Sequence, residues 1–176
     1  MNKERPKRLA IIGLPGSGKS TFAAKLGVAL NIPVHHLDRH MFEPGGKKKD
    51  RQELLAIEQA MVNEESWIVE GCSMSTLGTR FARADIVIYF HFPRLLCIWR
   101  VFKRLFIYDK ALSNTGCTRK INWRLLKYIW TFDQGKRAAI EELRKKYPKV
   151  DFRVFRSSQE GERFLRHMQR MVVHAQ

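Results

Sequence analysis

Short apolar runs alternate along this chain with segments whose apolar residues recur at helical spacing. Residues 9–13 form an apolar run closed by Gly13, the pattern of a strand buried on both faces of a parallel sheet. Behind a glycine-rich turn, Phe22, Leu26 and Leu30 repeat every four residues, so a helix is predicted over 20–30. Apolar runs at 33–37, 67–69 and 86–92, and a more clearly alternating one at 150–155, predict further strands. Helices are predicted at 51–63, 76–84, 93–107 and 122–147, the last with a break near Gly135. Strands alternating with helices predict an α/β fold in which helices cover both faces of a parallel sheet. Two segments, 43–50 and 108–120, are polar and turn-rich, and long loops inside a compact domain are more often functional than accidental. No repeat or linker interrupts the pattern, so the 176 residues are read as one domain.

Charge narrows the partners. Lys and Arg number 33 against 17 Asp and Glu, a net charge of +16. From Arg94 onward there are 20 basic and 7 acidic residues, a difference of 13 that supplies most of the excess. An anionic partner is implied: a nucleotide, a phosphorylated metabolite, nucleic acid or a membrane surface. No apolar stretch approaches the ~20 residues of a membrane span, and the run at 9–14 ends at Pro15 and Gly16, too early for a signal peptide. Cys72, Cys97 and Cys117 are odd in number and form no CxxC pair. A reducing, cytoplasmic setting is expected.

The turn after the first run carries the chemistry. Gly13-Leu14-Pro15-Gly16-Ser17-Gly18-Lys19-Ser20 fits G-x-x-x-x-G-K-[ST] between a strand and a helix. At average residue usage, chance yields this pattern in about one chain of this length in two hundred. Gly13, Gly16, Ser17, Gly18, Lys19, Ser20 and Thr21 are therefore expected to cradle the phosphates of ATP, with backbone N–H groups and the helix's positive end facing the anion. Lys19 is expected on the β- and γ-phosphates, and the Ser20 hydroxyl on Mg²⁺. An N-K-x-D base-reading motif and a strand ending in an acidic pair are both missing, which removes guanine switches and motors and leaves a small kinase.

In this order of residues the chain resembles a known family, the small P-loop proteins called DNA topology modulation proteins (FlaR-type), similar to adenylate kinase. The resemblance spans about residues 9–164. It rests on the phosphate loop, His36-Leu37-Asp38 with Pro44-Gly45, Trp67-Ile68-Val69-Glu70-Gly71, Ala84-Asp85, Phe92-Pro93-Arg94, and Trp99 to Arg104 with Gly116-Cys117 beyond. It implies a P-loop NTPase fold with a five-stranded parallel sheet, an ATP- and Mg²⁺-dependent phosphotransferase site, an acceptor-binding insertion at about 39–65 and a mobile lid at about 105–121. The chain departs from the family's pattern at Glu70, where an aspartate is usual, at Cys72, at His91 and in the small number of arginines in the lid.

Asp38, at the carboxyl end of the second predicted strand, is expected to bind the acceptor and take its proton, since ligands of open α/β sheets bind there. A turn-capping aspartate is the alternative. Glu70, ending the third strand, is expected to hold a water of the Mg²⁺ shell, with a lysine-paired buried acid as its alternative. Arg100 and Arg104 share a helix face and are expected to bracket the transferring phosphoryl group, with a solvated basic face as the competing reading. Arg94 is a weaker candidate of the same kind. Arg80 is expected at the acceptor or on the surface. His35, His36 and His40 do not suggest a metal site, because His35 and His36 alternate in direction along a strand. Trp123, Leu126 and Trp130 predict the packed face of a helix rather than a stacking platform for bases, and 47–49 a solvated charge run. The function expected is phosphoryl transfer from ATP to a small acceptor. Its rival is a basic nucleic-acid-binding protein that uses ATP as a switch, with any binding by a kinase of this charge being non-specific.

Overall fold

The computed structural model describes residues 5–41, 49–71, 73–106 and 123–173; the side chains of 104–106, 123–125, 133–135 and 173 lie outside that description. Elements follow in the order β1 (Arg8–Gly13), α1 (Lys19–Leu30), β2 (Val34–His36), a 3₁₀ turn (Leu37–His40), α2 (Arg51–Asn63), β3 (Trp67–Glu70), α3 (Leu77–Arg83) and β4 (Ile86–Phe90). Then come α4 (Arg94–Phe106), α5 (Trp123–Thr131), α6 (Asp133–Lys146), β5 (Asp151–Phe155) and α7 (Ser158–Val173).

The five strands form one parallel sheet in the order β2-β3-β1-β4-β5. After β1 the chain runs out to β2, returns through β3, and only then crosses to β4. The connections therefore reverse direction at β1, the switch point at whose carboxyl end open α/β sheets form their ligand crevice. Strands β1, β3 and β4 are buried along nearly their whole length, as their uninterrupted apolar sequences require. Phe152 and Phe155 are three apart on β5 and so point to opposite faces. Phe155 meets Phe22 of α1 and Phe164 of α7, whereas Phe152 stacks on Phe81 of α3. Helices thus cover both faces.

Local signals account for most boundaries. Asp50 caps α2 by accepting from the Glu53 N–H at 2.7 Å, the usual role of an acid at that position. Gly27 lets α1 press against the second strand: a Cβ there would lie 2.3 Å from a Val34 methyl. Asp85 ties β4 to β1. It accepts from the backbone N–H groups of Lys7 and Arg8, both at 2.9 Å, and from the Arg8 guanidinium at 2.8 Å.

Four expectations change. Strand β2 is shorter than the apolar run, so Asp38 sits in the 3₁₀ turn beyond it. The junction between α5 and α6 falls at Phe132, a ring buried against Tyr128, rather than near Gly135. On α5 it is Ile129, with Phe132 just beyond its end, that enters the core; Trp130 is 55% exposed and the Trp123 side chain lies outside the described residues. Helix α7 was not expected at all, although Phe164, Leu165 and Met168 place its buried stripe at helical spacing. The proposed lid at 105–121, and 42–48 of the acceptor segment, fall largely outside the described residues.

Burial works to raise the Asp85 pKa, but the Arg8 side chain and the two backbone donors outweigh it and hold the carboxyl below its usual range. A depressed acid contributes stability above its unfolded pKa, and that contribution fades as pH falls through the folded value. Asp85→Asn is therefore expected to cost about 1 kcal/mol at pH 7, the scale of a half-exposed charged hydrogen bond. The gap to the unaltered protein should narrow as pH falls below the ordinary aspartate range and through the lowered folded value, as read by urea denaturation at stepped pH.

Candidate active site

The turn between β1 and α1 presents its backbone to the crevice. Helix α1 starts at Lys19 with Gly18 in left-handed geometry, no side chain capping it and no acid in the first turn. Its first N–H groups and the positive end of its dipole are thus left for an anion. Gly16 adopts φ 83°, and a Cβ there would come within 2.4 Å of the Cys97 carbonyl on α4. The glycine is needed because α4 lies directly against the loop. Ser17 Oγ is buried with no hydrogen-bond partner, and Thr21 faces solvent.

Three elements converge on Lys19. Its Nζ is 3.6 Å from Glu70 Oε2 at the end of β3 and 3.8 Å from Asp38 Oδ2 in the 3₁₀ turn. Lys19 and Glu70 are buried, while the Asp38 side chain keeps 32% of its surface exposed. Asp38 reaches this place past Gly71, where an added Cβ would lie 2.9 Å from Leu37 Cβ and 3.2 Å from Asp38 Oδ1. Burial alone would raise the Glu70 pKa. The Lys19 charge, the hydrogen bond and charge of His36, and the Ser20 hydroxyl outweigh it and bring it to about 2. Glu70 is a carboxylate throughout the neutral range.

The donor set suits Mg²⁺ held mainly by phosphate oxygens and water. Among the described residues no group of three or more His, Cys, Asp or Glu side chains is placed to hold a metal. Instead, the Ser20 hydroxyl lies against Glu70, whose buried Oε2 has no hydrogen-bond partner. One hydroxyl and one carboxylate oxygen that faces Lys19 without a hydrogen bond fit an ion that keeps most of its waters.

Across the loop, Arg100 reaches over from α4. Its guanidinium donates to the Ser17 carbonyl at 3.3 Å and to Ser158 Oγ at 3.2 Å, and rests 5.2 Å from the centre of the Phe92 ring. Arg104 follows one turn later on α4; its side chain lies outside the described residues. Arg94 donates to the Trp130 carbonyl at 2.9 Å, joining α4 to α5. His35 turns away from the site to Glu64 at 3.0 Å.

Arg80 is not offered to a ligand in the crevice. It is fully buried, with Nε donating to Glu58 Oε1 at 3.1 Å, Nη1 to the Gly71 carbonyl at 3.1 Å and Nη2 to the Ser73 carbonyl at 2.5 Å. Thr76 Oγ1 donates to the other oxygen of Glu58. The guanidinium braces the backbone beyond β3 against α2, which replaces the expected substrate contact. Glu58, Ser158 and the Cys97 backbone are site or support residues that the sequence did not single out.

No family model matches the chain, and no curated protein matches it. Solved structures do. Shikimate kinase from Acinetobacter baumannii in complex with shikimate superposes with a TM-score of 0.59 at 10% identity, covering 97% of this chain and 94% of that one. A gluconokinase from Sinorhizobium meliloti 1021 gives 0.56 at 15%, covering 98% and 95%. A sugar kinase from Janibacter sp. HTCC2649 gives 0.54 at 14%, covering 94% of each. The fold is that of small P-loop kinases. These three structures are kinases by name and lend no support to the resemblance to DNA topology modulation proteins or to the nucleic-acid reading. Among the described residues no helix is long and apolar enough to cross a membrane.

The Glu58–Arg80 pair has no solvent exposure on either side. Removing one partner of such a pair strands a buried charge, so Arg80→Ala is expected to destabilise by about 3–5 kcal/mol. The double variant Arg80→Met with Glu58→Leu should recover most of that, because both charges leave together. Urea denaturation measures both; a single variant within 1 kcal/mol of the unaltered chain contradicts the bracing role.

Proposed function

We propose that the chain is an ATP- and Mg²⁺-dependent kinase that transfers the γ-phosphoryl group to a hydroxyl of a small acceptor: a nucleotide, nucleoside or other metabolite. The observation that carries this reading is Lys19, lodged between Asp38 and Glu70 at the mouth of a backbone phosphate cradle. It draws further support from neighbours named as kinases of small hydroxylated molecules. The whole chain acts as one kinase domain, with acceptor contacts from about 39–65 and a lid at about 105–121.

Each residue has a task set by its place. The N–H groups of the loop and of the first turn of α1 hold the phosphate oxygens, and Lys19 neutralises charge on the β- and γ-phosphates. Asp38, the more exposed of the two carboxylates, accepts the proton of the attacking hydroxyl. The acceptor oxygen then bonds to phosphorus as the bond to the β-bridging oxygen breaks, leaving ADP and a phosphorylated product. Ser20, and Glu70 through a water, would hold Mg²⁺, which supplies charge neutralisation at the phosphates. Arg100, placed above the loop by two long hydrogen bonds, offers further positive charge to the transferring group, and Arg104 extends it. Catalysis by such a site is chiefly alignment and charge compensation.

Lys19→Ala is expected to lower turnover by ~10²-fold or more, the scale for removing one preorganised charge at a transition state. Asp38→Asn should abolish transfer while ATP affinity stays within a few-fold. ATP consumption screened over nucleotides, nucleosides and metabolites, alongside calorimetry, tests both. Failure to bind ATP or GTP at millimolar concentration overturns the reading. Equal loss of binding and transfer in Asp38→Asn would make that residue a structural turn.

A further inference from the structure

We propose that His36 is a positioning residue for the metal side of the site: it holds one oxygen of Glu70 inside the protein and leaves the other for the water shell of the nucleotide's Mg²⁺. The inference rests on the kinase reading above and assigns a task to a residue which that reading does not use.

Residues His36 and Glu70 are register partners on the adjacent parallel strands β2 and β3, so their side chains stand next to each other on one face. His36 Nδ1 lies 2.7 Å from Glu70 Oε1, and both side chains are largely buried. Glu70 Oε2 makes no hydrogen bond and points to Lys19 at 3.6 Å. The two oxygens of one carboxylate therefore have different surroundings: His36 holds Oε1 and Lys19 faces Oε2, while the Ser20 hydroxyl also bonds the carboxylate.

That asymmetry matters because Glu70 is a glutamate. Its extra methylene gives the carboxylate reach and one more rotatable bond than aspartate has. A buried ammonium a few ångströms away pulls on both oxygens at once, and a carboxylate turned fully onto Lys19 would have none left for a metal-bound water. The lateral bond from Nδ1 opposes that rotation. Partners that orient a metal's ligands typically change affinity 10- to 100-fold when lost. The Nδ1 bond assigns His36 to Glu70; the base for the acceptor stays with Asp38, two residues on.

Calorimetry on the full chain tests this, comparing ATP with EDTA against ATP with Mg²⁺, with melting temperature recorded for each protein. His36→Leu removes the donor. It is expected to keep metal-free ATP affinity within ~2-fold while losing ~10-fold or more of the strengthening that Mg²⁺ confers. His36→Asn places an amide nitrogen near the position of Nδ1 and should restore that strengthening. His36→Gln, whose amide reaches instead toward Nε2, should not, and this pair of polar variants decides the matter if His36→Leu fails to fold. Unchanged Mg²⁺ strengthening in both His36→Leu and His36→Gln overturns the proposal. So does a parallel fall in metal-free and Mg²⁺-supported affinity, which would mark His36 as merely structural. No ATP binding by the unaltered chain overturns the kinase reading itself, and the proposal with it.

Discussion

A buried ammonium held between two carboxylates organises this molecule. Taking a lysine out of water is costly unless opposite charge meets it, and here Glu70 and Asp38 do so from two different elements. The first residue of α1, the end of β3 and the turn after β2 must therefore arrive at one point. Several otherwise unrelated features serve that convergence. Gly71 clears the way for Asp38, and the parallel register of β2 with β3 sets His36 beside Glu70. The reversal of strand order at β1 brings the crevice to the same place.

The two sides of the crevice are built to different standards. On the side of α2 and α3, Glu58 and Arg80 are sealed from solvent and join these helices and the backbone after β3 through several hydrogen bonds. Within this pair, burial raises the Glu58 pKa more than Arg80 and Thr76 lower it. The connection is costly to assemble and rigid once made. On the opposite side, Arg100 crosses the phosphate loop with two long hydrogen bonds and a ring contact, which are cheap to break and remake. One wall is fixed, and the other is held by interactions of modest strength.

The phosphate loop was legible in the sequence because its chemistry is local. Eight consecutive residues between a strand and a helix specify the cradle without help from the rest of the chain. Asp38 and Glu70 were legible for a different reason, since one follows and the other ends a strand, and the carboxyl ends of these strands share one edge. Arg80 was misplaced because residue type says nothing about burial. A signal did exist: Arg80 lies three residues after Leu77, and Glu58 four after Leu54, so opposite charges sit on two apolar stripes. The stripe of helix α7, Phe164, Leu165 and Met168, is as regular as that of α1, but it lies in a segment of mostly charged and polar residues that masks it. The contacts of Arg100 with Ser158 and of Gly16 with α4 join residues far apart in sequence, and no local pattern encodes them.

The approach of α4 to the phosphate loop places unequal demands on inheritance. Gly16 meets the carbonyl of Cys97, an atom that every amino acid carries. So far as this contact is concerned, position 97 is free to drift among small buried side chains across generations. Position 16 has no such freedom, since any side chain there collides with main chain that cannot be exchanged away. Two residues in mutual contact thus stand under opposite regimes of variation. An invariant glycine facing a variable neighbour is the record this geometry would leave in descendants of the chain.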